Sequence, residues 1–452
     1  MNLEHIKNIH FVGIGGIGMS GIAEILAAHG YRVSGCDLKR SAATDLLAGR
    51  GIDVVIGHDP AHLDGDVDLV VVTSAVKGKN PEVDAARERG MNVVKRSEML
   101  GELVNSKRSI GVSGTHGKTT TSAMIAVVLS EAGLDPTVIV GGMLRNLATN
   151  AKSGRGDLLV VEADEYDRTF HQLHPEVAVI TNIEADHLEY YGSLEAIIEA
   201  FRIFVDGVAP HGVVIGCVDD PEVASLLDRV EGKRVVRYGT EAAAGIRAIN
   251  IEYHELGPSF EVPNVGHFKL FVPGEHNVRN ALAAIAVGIE VGIDAQTIAG
   301  ALARFLGVDR RFQIIGTYRG AVVVDDYAHH PTEIRATLSA ARSGYPGRRL
   351  VALFQPHLFS RTRDFAREFG EALAVADVAL VAPIYAAREQ PIDGITSKLI
   401  ADADGRVQFL DRSNDEIATG LREFLQPNDI FITMGAGDVH VIAEALVAEA
   451  TP

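Results

Sequence analysis

The sequence contains no tryptophan, and aromatic residues make up only 6% of it. That argues against a surface on which nucleobases stack along aromatic rings. It has just two cysteines, Cys36 and Cys217, far apart along the chain. Two cysteines predict neither a disulfide framework nor a zinc set, and a cytoplasmic setting is the expectation that follows. No apolar run reaches the ~18 residues that a membrane-spanning helix needs. Residues 1–10 carry charges and lead straight into a strand-like run, so no signal peptide is expected there. Basic charge is also scarce, with 42 Lys and Arg against 60 Asp and Glu, a formal net charge of −18. A duplex binder needs a basic face to neutralise phosphates, so nucleic acid is excluded as an expected partner. The acidity favours solubility instead.

Glycine and aliphatic side chains are plentiful. There are 46 glycines in 452 residues, and 47% of the chain is hydrophobic. The length predicts about three domains, each able to bury a core. Near-continuous aliphatic runs occur at 9–12, 69–72, 158–161, 177–180, 322–324, 350–353, 378–381 and 430–433. Strands buried on both faces of a parallel sheet have this composition. Helix-length amphipathic stretches separate them, at 118–132, 194–205, 278–291, 331–342 and 361–374. The alternation predicts an α/β protein with mainly parallel sheets. Three blocks are expected, 1–107, 108–310 and 311–452, with a small antiparallel insertion over about 235–272.

Three constellations carry chemistry. In the first, Gly13-Ile14-Gly15-Gly16-Ile17-Gly18 follows a strand run and precedes a helical segment. Such glycines allow a tight turn and close approach to a pyrophosphate, which the helix N-terminus then faces. Asp37, at the end of the next strand run, is placed to accept from ribose hydroxyls. The pattern fits a nicotinamide dinucleotide or a UDP-sugar, and a plain tight turn is the simpler alternative.

In the second, Gly114-Thr115-His116-Gly117-Lys118-Thr119-Thr120-Thr121 joins the run 109–113 to a helix. This fits a shortened phosphate loop, in which backbone N–H groups would cradle phosphates, Lys118 would reach the β/γ oxygens and the Thr119 hydroxyl would ligate Mg²⁺; a turn with an exposed lysine is the simpler alternative. Glu162 closes the next strand run, in Glu162-Ala163-Asp164-Glu165-Tyr166-Asp167. Asn182 and His187 follow the run 177–180, and His187 is a candidate metal ligand. Glu184, Asp186 and Glu189 read as solvated or supporting charges.

The third group lies further along. Asn277 and Asn280 share one face of a helix start, and Arg310-Arg311-Phe312 falls at the proposed boundary. An arginine there can stabilise charge on a transferring phosphate. Asp325-Asp326-Tyr327-Ala328-His329-His330-Pro331 ends a strand run, and Gln355-Pro356-His357 with Arg361 and Arg363 ends the next. Arg361 suits a substrate carboxylate, held by a bidentate contact. Gly435-Ala436-Gly437-Asp438 closes the last strand run, as a phosphate approach or as a turn with a helix cap.

Taken in order along nearly the whole chain, these motifs resemble the ATP-dependent Mur ligases. The longer strings from Gly13 to Glu24 and from Asp325 to Glu333 are the specific ones. The resemblance implies an N-terminal Rossmann-like domain for the UDP substrate (1–107), a central P-loop ATPase with the antiparallel insertion (108–310) and a C-terminal Rossmann-like domain for the amino acid (311–452). It implies ligation of L-alanine to the carboxylate of UDP-N-acetylmuramate through an acyl phosphate, with ATP and Mg²⁺, by a monomer or weak homodimer. Gly13, Gly15, Gly16, Gly18, Asp37 and Ser74 would hold the UDP substrate. Gly114, Thr115, His116, Gly117, Lys118, Thr119, Thr120, Asn277, Asn280, Arg311 and Asp326 would hold ATP. Thr119, Glu162 and His187 would hold metal; Lys118, His187 and Arg311 would act in catalysis; His357 and Arg361 would line the alanine pocket. Sister ligases carry a modified Lys near a metal, where the helix after His187 offers Arg202 instead. An Arg after His357 would also have favoured the alanine pocket, and Leu358 stands there.

The rival readings are a nicotinamide-dependent oxidoreductase, a P-loop switch ATPase and a sister ligase with another acceptor. The first leaves the phosphate loop without a role, and the second leaves the N-terminal glycine turn without one.

Overall fold

The computed structural model describes residues 5–73, 75–76, 78–387 and 389–450. The chain forms two compact units. One runs up to Arg247 and takes in Arg279–Leu302; the other comprises Ala248–Val278 and the chain from Ala303 onward.

The first unit holds two sheets. Its N-terminal sheet has five parallel strands, Asn8–Val12, Arg32–Asp37, Asp53–Ile56, Leu69–Val72 and Asn92–Lys95. Their spatial order is third, second, first, fourth, fifth. The direction of winding therefore reverses between the first and fourth strands, and a crevice opens beyond their carboxyl ends. Side chains alternate across the sheet. Ile9, Phe11, Leu69 and Val71 pack with Met19 and Ile22 of the helix Ile17–Ala28. Val12 and Val70 pack with Val83 and Ala86 of the helix Pro81–Glu88 on the other side. Cover on both faces explains why Leu69–Val72 is apolar throughout rather than alternating.

The second sheet has eight strands, and Arg108–Ser113 lies between Leu158–Glu162 and Val177–Ile180, parallel to both. Whatever follows these three strands leaves the sheet at one edge. A hairpin of Thr137–Leu144 and Thr149–Lys152 forms one margin of the sheet, with its two strands antiparallel.

The second unit contains a three-stranded antiparallel meander, Ile249–His254, Gly257–Val262 and Gly266–Lys269. It also contains a six-stranded sheet in which Gln313–Tyr318 is an antiparallel edge to Ala321–Asp326. The strands Asp429–Met434, Arg349–Phe354, Val378–Val381 and Val407–Phe409 continue that sheet in parallel. Its two faces carry separate cores, one around Phe354 and Phe369, the other around Phe431 and Leu446.

Two expectations need correction. The antiparallel insertion does not begin near residue 235, because Arg234–Gly239 runs parallel to Val213–Cys217 in the eight-stranded sheet. The crossover between them is the short helix Pro221–Asp228, too brief to show a helical period, and in the strand Arg234 and Arg237 bracket only two valines. The meander, though inside the block 108–310 by sequence, packs with the C-terminal unit. The first helix starts at Ile17, so the glycine motif runs into it. Among the described residues no helix is long and apolar enough to cross a membrane.

Candidate functional site

The glycine turn at residues 13–18 hangs from the first strand, beside the point where the winding reverses. Gly13 has φ +84°, and a Cβ there would press on Thr73, so the turn closes only on glycine at this position. The Gly15 N–H donates to the Asp37 carboxylate at 2.9 Å. Asp37 thus braces the turn with one oxygen, and its other oxygen accepts weakly from the Lys39 N–H at 3.4 Å. Gly16 caps the helix with no side-chain hydrogen bond, and Gly18 lies against Arg96. Ser74 lies outside the described residues.

The phosphate loop follows the strand Arg108–Ser113. Gly114 (φ +141°) leaves no room for a Cβ, which would overlap the Thr181 hydroxyl. Gly117 (φ +80°) is the left-handed N-cap of the helix Lys118–Glu131, again without a side-chain cap. The loop is latched to the next strand's end. Asn182 accepts from the His116 N–H at 2.8 Å and donates back to the His116 carbonyl at 3.0 Å. The Thr115 hydroxyl accepts from the Glu184 N–H at 2.8 Å, and the Thr181 hydroxyl donates to the His116 carbonyl at 2.7 Å.

Lys118 folds into its own loop, donating to the Gly114 carbonyl at 2.6 Å and to both Glu165 oxygens at 2.7 and 2.9 Å. Burial works to lower its pKa, but the carboxylates of Glu165, Asp164 and Glu162 outweigh burial and hold it above the ordinary lysine value. The ammonium is therefore charged. The Thr119 hydroxyl donates to Glu162 at 3.0 Å, and the other Glu162 oxygen accepts from the Gly141 N–H at 2.7 Å. Thr120 occupies the same first helical turn. His187 has left-handed backbone (φ +53°), and its ring lies 5.0 Å from that of Tyr166. Asp186 is buried rather than solvated, and it accepts from the His187 N–H at 2.7 Å. The structure thus brings together Gly114–Thr120, Glu162 and the 181–187 segment on three neighbouring strand ends.

Glu165 is the residue that sequence reasoning left without a role. It enters the loop because the short 3-10 helix Tyr166–Gln172 turns the chain right after it, and the Tyr191 hydroxyl donates to its carbonyl at 2.5 Å. Its place in the acidic string after the Leu158–Glu162 strand was the available signal.

The helix carrying Asn277 and Asn280 is Glu275–Val291. Both asparagines are buried. Asn280 accepts from the Thr121 hydroxyl at 3.1 Å, so it braces the helix that follows the phosphate loop. Asn277 donates to the Pro273 carbonyl at 2.7 Å.

In the C-terminal unit, Arg310 and Arg311 both lie over the Tyr327 ring, at 5.0 and 5.3 Å. Arg310 is fastened to Asp325 and to the Gly435 carbonyl, at 3.0 and 2.7 Å. Arg311 also makes a long 3.9 Å pair with Glu333. Asp326 accepts from the Phe312 and Ala328 N–H groups at 2.7 and 2.8 Å. Burial pushes its pKa up to about 6 despite the neighbouring Arg311. A carboxyl whose folded pKa is raised favours folding below its unfolded value near 3.8 and withdraws that support as pH rises through about 6. Across that window Asp326 is expected to remove about 3 kcal/mol from the C-terminal unit. Denaturant midpoints for wild type and Asp326→Asn between pH 4 and 7 check this; parallel slopes would discard it.

His357 stacks on Tyr385 at 6.2 Å and meets His329 edge-on at 6.0 Å. Arg361 is buried in the first turn of the helix Phe359–Leu373. Leu358 between them has φ +72°, a conformation that costs a branched side chain about 1–2 kcal/mol and that collects at functional sites. Gln355 donates to Asp438 at 2.7 Å, so the Gly435–Asp438 turn is tied to the same strand end.

Comparison with known proteins places this geometry in context. Residues 8–108 match the Mur ligase family catalytic domain, 112–288 the Mur ligase middle domain and 310–437 the Mur ligase glutamate ligase domain. A UDP-N-acetylmuramate–L-alanine ligase of Geobacter sulfurreducens is 46% identical, with 98% of each chain covered. One from Syntrophotalea carbinolica is 48% identical over 98% of this chain and 97% of its own. A crystal structure of a UDP-N-acetylmuramate–alanine ligase from Thermotoga maritima superposes with a TM-score of 0.82 at 32% identity, covering 99% of both chains. A murein peptide ligase from Psychrobacter arcticus superposes with a TM-score of 0.72 at 26% identity, covering 98% of both.

Proposed function

Because the chain belongs to the Mur ligase family, we propose that it is the ATP-dependent ligase that joins L-alanine to the carboxylate of UDP-N-acetylmuramate in peptidoglycan precursor synthesis, with Lys118 at the centre of its phosphate chemistry. The observation that carries the alanine assignment is likeness over 98% of the chain to ligases named for that amino acid. We place the reaction in the cytoplasm, where nucleotide-linked precursors and ATP are available.

We assign 1–107 to the UDP substrate, 108–310 to ATP and 311–452 to the amino acid; the matched spans 8–108, 112–288 and 310–437 support a threefold division. Gly13, Gly15, Gly16 and Gly18 bring backbone close to the pyrophosphate, with Asp37 bracing the turn. The backbone from Gly114 to Thr120 and the Lys118 ammonium hold the ATP phosphates. Asn277, Asn280, Arg311 and Asp326 are assigned to the nucleotide, and His357 and Arg361 to alanine.

The chemistry has two displacements. The muramate carboxylate attacks the γ-phosphorus in line, forming an O–P bond as the bond to ADP breaks. The neutral alanine amine then attacks the acyl carbon, a C–N bond forms, phosphate departs with the C–O electrons, and the nitrogen gives up a proton to solvent. Carboxylate and triphosphate repel each other, so the positive charges of Lys118 and Arg311 are needed to let them approach. Thr119 and Glu162 offer hard oxygen donors 3.0 Å apart, which fits Mg²⁺, and His187, which follows the neighbouring strand Val177–Ile180, offers a nitrogen donor. Bound there, Mg²⁺ would neutralise phosphate charge and fix the γ-phosphate for attack.

The test is phosphate release from ATP and Mg²⁺ with UDP-N-acetylmuramate, with and without L-alanine. Release that requires both acceptor and amino acid is expected. Release without either, or release only with a peptide in place of alanine, overturns the assignment.

A further inference from the structure

On the face of the N-terminal sheet away from its first helix, five side chains from five separate elements converge. His10 comes from the first strand, Cys36 from the second and Glu82 from the helix Pro81–Glu88. His62 sits on the 3-10 helix Pro60–Leu63, and His58 on the segment before it. Glu82 is fully buried. Its carboxylate meets His10 Nε2 at 3.2 Å, His62 Nδ1 at 2.7 Å, His58 Nδ1 at 2.8 Å and Cys36 Sγ at 2.7 Å.

We propose that His10, Cys36, His62 and Glu82 form a site for a thiophilic divalent ion of the zinc type, set beneath the Gly13–Gly18 turn. One ligand atom from each of the four lies within 4.8 Å of all the others. A tetrahedral zinc shell needs ligand atoms roughly 3.3–3.8 Å apart, so the set closes on an ion with shifts of about half an ångström. The donor chemistry is that of zinc: one thiol, two imidazoles and one carboxylate. The charges also close. A thiolate and a carboxylate cancel a divalent cation, which lets the cluster be buried without a net charge. A hydrogen-bonded network alone would not call for Cys36, because a thiol is a weak donor to a buried carboxylate.

The surroundings fit a ligand set as well. The other ring nitrogen of His10 meets the Ser34 hydroxyl at 2.9 Å, its register partner on the next strand. Such an outer contact fixes the orientation of a ligating imidazole. His58 bridges Cys36 Sγ, at 3.0 Å, and Glu82, and so serves as a second outer partner. Burial and the Glu82 carboxylate raise the Cys36 pKa, so the thiol is protonated without metal. Binding breaks the S–H bond, forms a sulfur–metal bond and releases the proton to solvent. The hydrogen bonds from His10, Cys36, His58 and His62 overcome burial to hold the Glu82 pKa near 2, so that ligand is already ionised. The Cys36 carbonyl accepts from the Gly13 and Ile14 N–H groups at 2.9 Å each. An ion here would therefore fix the strand end from which the glycine turn hangs. Two cysteines in the sequence predict no zinc set, and a mixed set escapes that count because only one of its ligands is cysteine.

The site is tested by titrating metal-free full-length protein with Co²⁺ and reading the thiolate-to-cobalt charge-transfer absorption. One Co²⁺ per chain with that absorption is expected, displaced by one equivalent of Zn²⁺. Cys36→Ser should abolish the absorption and Cys217→Ser should retain it. His62→Gln keeps the thiolate and should weaken Zn²⁺ binding at least tenfold, measured by competition with a chromophoric chelator. The all-oxygen pair Thr119 and Glu162 cannot produce the thiolate band. Absence of the band in wild type, its survival in Cys36→Ser, or unchanged Zn²⁺ affinity in His62→Gln would each overturn the site.

Discussion

A Lys118→Met variant is expected to lose ligation by about a thousandfold in kcat/KM, with the fold retained once its partner is also changed. The ammonium is the one cation built into the phosphate loop, and the in-line attack brings two anions together. Removing it strands Glu165, which is buried and which Lys118 neutralises at 2.7 Å. An unpaired buried carboxylate costs about 3–5 kcal/mol, so the single variant conflates catalysis with stability. Glu165→Gln alone removes the charge that holds Lys118 in its resting contact while leaving the ammonium. Lys118→Met with Glu165→Gln removes both. If the double variant is as stable as wild type by thermal unfolding and still inactive in phosphate release, the loss belongs to the missing ammonium. An active double variant would remove Lys118 from the chemistry.

Glu162→Gln should lower kcat/KM by about a hundredfold and raise the Mg²⁺ concentration for half-maximal rate at least tenfold. The substitution is close to isosteric. Its amide oxygen can still accept from the Gly141 N–H, and the Thr119 hydroxyl can rotate to accept from the new NH₂ group. The local hydrogen bonds survive and only the charge is lost. Initial rates across a Mg²⁺ series, with unfolding midpoints as a control, separate the two effects. A variant with the wild-type Mg²⁺ dependence would show that the metal is held elsewhere.

Much of this site is legible in the sequence for a topological reason. Glycine, Lys118 and Thr119 stand directly after an apolar run, and Glu162 and Asn182 directly after two others. Parallel strands lie side by side with their carboxyl ends level, so residues at run ends meet even when far apart in sequence. Glu165 was not legible in the same way, because its direction depends on a 3-10 turn that leaves no periodic trace. Arg234–Gly239 reads as part of the insertion because Arg234 and Arg237 flank its two adjacent valines and leave no continuous apolar run. The cluster around Glu82 is the extreme case. Its members sit singly on five elements, and only the register of His10 against Ser34, with Val12 against Cys36, sets two of them on one face.

The division of the chain bears on how the protein is made. The first unit needs Arg279–Leu302, yet the ribosome delivers the whole meander before that segment. Gly288 fits against Val128, so the helix following the phosphate loop waits for residues synthesised long after it. During translation the nascent first unit therefore remains incomplete until roughly two thirds of the polypeptide has emerged. No single cleavage of the chain yields both units whole: a break after Leu302 frees a C-terminal fragment without its meander, and a break before Ala248 deprives the N-terminal fragment of its last helices. The two units are encoded and synthesised as one.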